Sequence, residues 1–249
     1  MTFLPVRFPG IDNGRCAFGG RLAGNFSLDA PEAKRDPAAT LARRRNLADA
    51  LKVRAVAELR QVHGVRTLFE PAPWNAEKAS ATEGDGMATR REGLALAIKT
   101  ADCQPVLLAH ASGRVVAAAH VGWRGNHQNY PGRIVAELCA RYDLNPADLS
   151  AVRGPSLGPA AAEFTGFDSE WGETFRPWFD ASARTMNLWR LTRDQLLAAG
   201  LRPERIYSLD LCTASLPGVF FSSRRDRNCG RQLSLIWIEK PHERPDERP

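Results

Sequence analysis

Three short apolar runs at residues 94–99, 106–109 and 115–119 follow one another so closely that they constrain the fold more than any other feature. Such runs bounded by turn formers read as buried strands. Ala111-Ser112-Gly113-Arg114 between the last two is a turn sequence, so residues 106–119 are expected to form a buried hairpin.

Around this hairpin, Leu41, Leu47, Ala48 and Leu51 recur at helical spacing with Arg43-Arg44-Arg45 between them. A helix over 37–51 with a basic outer face is predicted, started by Asp36-Pro37. Residues 53–59 alternate as a strand that runs into Gln61-Val62-His63-Gly64. Residues 71–91 have no sustained period and are expected to be loop around Glu83-Gly84-Asp85-Gly86. Further on, Ile134, Leu138 and Tyr142 mark a helix, Asn145-Pro146 starts a short helical turn, and 188–197 forms a helix closed by Gly200. Residues 205–211 and 232–239 read as strands, and 241–249 as a disordered tail. No repeat or linker divides the chain, which predicts an α+β fold with a mixed sheet in one domain over residues 1–240.

Composition narrows the function. The 249 residues carry a net charge of +6, spread along the chain rather than gathered in a basic stripe with aromatics, so no nucleic-acid partner is expected. No apolar run is long enough to span a membrane, and the N-terminus lacks a charged start with an apolar run behind it. Five cysteines are an odd and sparse set, which points to a reducing compartment and a cytoplasmic protein.

Of the five histidines, His63, His110, His120 and His127 lie outside the tail that holds His242. If His110 pairs with Val115 across the hairpin turn, partner numbers sum to 225, and His120 lies opposite Pro105 and diagonal to Cys103. Alternation then puts Cys103 and His120 on one face, with backbones roughly 7–8 Å apart. Both reach one ion, whereas His110 at the far end does not. His63, in a turn ended by glycine, is the candidate third ligand. A thiolate with two imidazoles suits Zn²⁺ and leaves a fourth position open, the mark of a catalytic site. On spacing alone the bland alternative stays open: a small buried cysteine beside a satisfied core histidine.

The text around these residues is more specific. Gln61-Val62-His63-Gly64, Thr100-Ala101-Asp102-Cys103-Gln104-Pro105 and Ala119-His120-Val121-Gly122-Trp123-Arg124-Gly125 resemble motifs of the YfiH family, also called the multicopper polyphenol oxidase, purine nucleoside phosphorylase or peptidoglycan editing factor family. Gly154-Pro155-Ser156-Leu157-Gly158-Pro159, Cys212-Thr213, Phe220-Phe221-Ser222-Ser223-Arg224-Arg225-Asp226 and Gly230-Arg231 extend the likeness over nearly the whole chain. The resemblance implies one domain of layered sheets with flanking helices, and a zinc held by His63, Cys103 and His120. It also implies phosphorolysis of adenosine, inosine and methylthioadenosine, and deamination of adenosine. Departures from the family's text, such as Leu22, Asp29, Ala161-Ala162 and Asn187, bear on substrate preference rather than on the metal.

Deamination needs an activated water, which zinc supplies, and a proton shuttle, for which Asp85 and Asp102 are the candidate carboxylates. Phosphorolysis needs an anion site, for which arginine forks are suited; Arg124 is the first candidate and Arg225 the second, with Gln61 as a further substrate contact. Three rival readings remain. Copper in the same site would make a polyphenol oxidase, but the histidines outside the tail are too few for a multicopper centre. Without a metal, Cys103 and His120 would form a nucleophile and base in a hydrolase or amidase. The third is a module that edits or senses peptidoglycan precursors.

Overall fold

Leu94, Leu96 and Ile98 alternate along one strand with Ala95 and Ala97, and all five are buried. A strand apolar on both faces needs a layer on each side, and the computed structural model, which describes residues 2–239, supplies two. The tail expected at 241–249 lies outside the described residues.

The chain opens with β1 (Phe3–Arg7) and β2 (Gly14–Gly19). Helices α1 (Pro31–Arg35), α2 (Pro37–Arg45) and α3 (Leu47–Leu51) follow. Next come β3 (Ala55–Ala57), β4 (Thr67–Phe69), β5 (Gly86–Thr89) and β6 (Leu94–Thr100). The hairpin strands β7 (Gln104–His110) and β8 (Val116–Val121) lead into α4 (Trp123–His127) and α5 (Tyr130–Tyr142). After β9 (Leu149–Arg153) and α6 (Phe167–Glu170) lies a small ladder of β10 (Phe179–Asp180) with β11 (Thr185–Met186). Helix α7 (Leu188–Ala198) and strands β12 (Ile206–Ser208) and β13 (Gln232–Ile238) complete the order.

The strands form not one mixed sheet but two main ones, ordered β1-β2-β13-β6-β3 and β12-β9-β7-β8-β5-β4. Both mix parallel and antiparallel pairs. Their inner faces share one core, in which Phe18, Leu96 and Ile98 of the first sheet meet Leu107, Ala118 and Val152 of the second. On its outer face the second sheet packs against Ile134 and Leu138 of α5 and Leu196 of α7. The first sheet's outer face buries Ala95, Ala97 and Leu235 beneath Phe26 and Leu47. The result is a helix–sheet–sheet–helix layering. The hairpin register is the expected one, with Gln104 opposite Val121 and Pro105 opposite His120.

Several expectations are corrected. The helix over 37–51 is broken at Asn46, whose backbone N–H closes α2 before α3 begins. The strand expected over 53–59 shortens to β3, and that over 205–211 to β12. Residues 86–89, expected as loop, form β5, because β8 offers them an antiparallel edge that no local pattern could announce. The basic outer face is only partly so: Arg44 is buried, and its guanidinium donates to Glu58 at 3.0 and 2.8 Å. Lys99 Nζ reaches the same carboxylate at 2.9 Å, and Arg44 also lies 4.0 Å from the centre of the Trp74 ring.

Burial pushes the Glu58 carboxyl up, but the hydrogen bonds and charges of Arg44 and Lys99 outweigh it and hold it below the usual range. The stabilisation is therefore present at neutral pH and is lost as pH falls through that lowered value. Glu58→Gln should leave two buried cations without a counter-charge and destabilise the protein by about 3–5 kcal/mol. Urea unfolding would show this as a lower midpoint at unchanged slope.

Candidate metal centre

The chain leaves the first sheet at Thr100 and enters the second at Gln104, and Cys103 sits at this crossing. Asp102 makes the turn in a left-handed conformation, with φ of 98°. Such a backbone is costly for a residue with a Cβ and persists only where its surroundings hold it. Here both carboxylate oxygens are engaged: Thr213 Oγ1 donates to one at 2.7 Å and the backbone N–H of Arg224 to the other at 2.6 Å. Asp102 thereby fastens two late loops beside the cysteine.

His63 lies in the loop after β3, also left-handed at φ 60°. Its loop is held by Asp85, whose carboxylate accepts the successive backbone N–H groups of Val62, His63 and Gly64 at 3.3, 3.0 and 2.7 Å. His120, near the end of β8, brings its Nδ1 to the same carboxylate at 2.7 Å. A carboxylate only accepts, so His120 carries its proton on Nδ1 and keeps Nε2 for a metal. The backbone N–H of His120 also donates to the carbonyl of Asp85 at 2.6 Å.

His63, Cys103 and His120 converge. Each offers one ligand atom, and these atoms lie within 4.8 Å of one another, the first residue exposed, the second half-buried and the third buried. The two imidazoles meet edge to face with centroids 4.8 Å apart. Gly122 follows closely: a Cβ there would stand 3.1 Å from His63 Cδ2 and 3.2 Å from Cys103 Sγ. Burial pushes the Cys103 thiol up, but the charge and hydrogen bond of His120, with His63, outweigh this and bring it down to about 6. Burial likewise pushes His120 down, yet the Cys103 thiolate and Asp85 raise it to about 9. Burial raises Asp85 as well, and the charge and hydrogen bond of His120, together with the loop N–H groups, leave it below the usual range. A metal-free site thus holds a thiolate beside an imidazolium. Two imidazole nitrogens and a thiolate form a donor set that fits one borderline-soft divalent ion, with a side left open.

A cleft of about 220 Å³ opens over the trio, lined among others by Arg60, Gln61, Lys99, Thr100 and Arg231. The other sequence candidates fall differently. Gln61 lines the cleft, but its amide is engaged with the backbone of Lys99, donating at 2.8 Å and accepting at 2.9 Å. Asp85 is fully buried and takes four hydrogen bonds, so it orients ligands rather than meeting substrate. Arg225 donates to the carbonyls of Thr213, Ala214 and Phe220 and clamps its own loop. Arg124 is exposed on α4 with its guanidinium 4.4 Å from the Trp123 ring centre, and is not among the residues lining the cleft. His110 bonds Ser112 at the far end of the hairpin, and His127 stacks on Phe175. Sequence reasoning missed Arg60, Lys99, Thr100 and Arg231 as cleft residues. Thr100 and Arg231 carried a signal, as parts of the Thr100-Ala101-Asp102-Cys103 and Gly230-Arg231 motifs.

The family model described as multi-copper polyphenol oxidoreductase laccase matches residues 19–239. The purine nucleoside phosphorylase of Xylella fastidiosa is 39% identical over 194 residues, covering 72% of this chain and 71% of that protein. Purine nucleoside phosphorylase YfiH of Escherichia coli is 34% identical over 191 residues, covering 72% of each. Among solved structures, YlmD from Geobacillus stearothermophilus superposes with a TM-score of 0.79 at 26% identity, covering 96% of this chain and 97% of that one.

Two measurements check the geometry. Asp85→Asn removes the charge opposite His120 and turns one of two acceptor oxygens into a donor that faces other donors, and metal affinity should fall about 10–100-fold in competition with a chromogenic chelator. In metal-free protein, alkylation of Cys103 by iodoacetamide should rise with pH through about 6, because the thiolate is the reactive form; restoring the metal should suppress it.

Proposed function

Because the chain belongs to the YfiH family, whose model is described as multi-copper polyphenol oxidoreductase laccase, we propose that it is a zinc-dependent purine nucleoside phosphorylase with adenosine deaminase activity. The observation that carries this reading is the convergence of His63, Cys103 and His120 on the floor of an open cleft. The relatives named purine nucleoside phosphorylase supply the substrate class, purine nucleosides and phosphate. Adenosine, inosine and methylthioadenosine are the nucleosides we assign to it.

His63, Cys103 and His120 would hold the zinc, which when bound supplies Lewis acidity at the cleft floor. The chain's own residues do the rest. Asp85 keeps the His120 proton on Nδ1 and the His63 loop in its strained form. Asp102 keeps the loops carrying Thr213 and Arg224 against the crossing at Cys103. Asp85 is buried and takes four hydrogen bonds, and Asp102 holds one donor on each oxygen, so we assign the proton relay for deamination to Asp29, the one carboxylate among the described lining residues.

The copper oxidase reading draws on the description of the family model and on the fact that a thiolate with two imidazoles also suits copper. An oxygen-reducing multicopper centre needs many imidazoles, and among the described residues one group of ligand-competent side chains forms, with two. All five cysteines are unpaired, which fits the reducing cytoplasm we assign. No helix among the described residues is long and apolar enough to cross a membrane.

The test is elemental analysis combined with turnover. We expect one zinc per chain, and free base with ribose 1-phosphate from adenosine only when phosphate is present. Inosine formed without phosphate would report the deaminase branch. Cys103→Ala should lose both metal and turnover; full nucleoside activity in that variant would refute the metal centre.

A further inference from the structure

Phosphorolysis requires an anion to be held next to the nucleoside, yet the two arginines singled out by sequence are not free in the cleft: Arg225 is bonded to three carbonyls and Arg124 lies outside the lining. The cleft has its own cations. Arg60, Lys99 and Arg231 line it, against one carboxylate, Asp29. Arg231 uses Nη1 on the carbonyls of Cys229 and Gly230, at 2.9 and 3.0 Å, which fixes the direction of its guanidinium. Its Nη2 and Nε make no hydrogen bond among the described residues. Arg60 pairs through Nη2 with Glu83, both side chains about half exposed, and such a pair is weak enough to yield to a stronger anion.

A second, independent observation points the same way. Thr100 lines the same cleft and is 2% exposed, and its Oγ1 has no hydrogen-bond partner among the described residues. Buried hydroxyls are almost always bonded, so one left open beside a cleft marks a place for a ligand atom. Lys99, tied to Glu58, adds positive potential from beneath.

We infer that inorganic phosphate is bound in the metal cleft by Arg231 and Arg60, with the Thr100 hydroxyl and Lys99 completing the subsite, and not by Arg124 or Arg225. This rests on the phosphorylase reading for its ligand. In the reaction, an oxygen of hydrogen phosphate forms a bond to C1′ of the ribose. The C1′–N9 bond breaks with its electron pair leaving on the purine, and the phosphate proton passes to that nitrogen. A planar guanidinium whose Nε–Nη2 edge is free holds the attacking dianion in place while its remaining oxygens stay bonded.

The experiment measures phosphate directly as well as through turnover. Metal-loaded wild type, Arg231→Gln, Arg231→Lys, Arg60→Gln and Arg124→Gln are titrated with inorganic phosphate by calorimetry, and phosphate and nucleoside KM are determined for each. Loss of one charged contact should raise the phosphate dissociation constant and KM about tenfold or more in Arg231→Gln and Arg60→Gln. Nucleoside KM and zinc content should stay near wild type, and Arg231→Lys should recover part of the loss. The inference falls if wild type binds no phosphate, if phosphate binding survives both substitutions, or if the phosphate-specific defect appears only in Arg124→Gln. Should wild type bind phosphate with the predicted dependence on Arg231 yet yield no ribose 1-phosphate, the subsite stands and the phosphorylase reading fails.

Discussion

The carboxylate of Asp85 is the constraint on which the site depends. It is fully buried, with no arginine or lysine bonded to it among the described residues, and it survives as an anion because four donors converge on it: three successive loop N–H groups and the His120 ring. An unsatisfied buried carboxylate would cost several kcal/mol, so these donors are as necessary to Asp85 as Asp85 is to them. The same few atoms fix the tautomer of one imidazole and the left-handed backbone of the other. Two ligands from distant parts of the chain are thereby set by one side chain, which itself stands at the entry to β5, held by a backbone bond from His120.

The third ligand depends on the layering. Cys103 is placed by the passage from one sheet to the other, and that passage exists because strands apolar on both faces must each be covered twice. Asp102 stabilises the passage by joining it to the loops that carry Thr213 and Arg224, so residues near the C-terminus reach the cleft. Gly122 admits the close approach of His63 and Cys103 from the side of α4, where any Cβ would crowd both. The open cleft and the buried ion pair of Glu58 with Lys99 meet at one strand end, which links the stability of the first sheet to the charge of the site.

Sequence reading succeeded where the physics was local. The hairpin register followed from one turn and period-two alternation, and it put Cys103 and His120 together before any coordinates. It failed where a residue's role is decided by what arrives from far away. Asp85 read as a proton-shuttle carboxylate in a loop because β5 exists only through pairing with β8 and β4, which lie far along the chain. Arg44 read as part of a solvated face because its partners, Glu58 and Trp74, come from other segments. Arg225 was taken for a ligand-binding fork, but carbonyls of its own loop occupy it, while Arg231, seven residues from the Arg224 that caps Asp102, faces the cleft. Arginine identity alone does not distinguish a clamp from an anion site; the distinction lies in which donors are left over.

X-ray absorption at the metal edge tests the central claim most directly. The account predicts zinc in the purified protein, with one sulfur scatterer at about 2.3 Å and two imidazole nitrogens at about 2.0–2.1 Å, the sulfur vanishing in Cys103→Ala. A metal shell without sulfur, or a spectrum unchanged by that substitution, would contradict it.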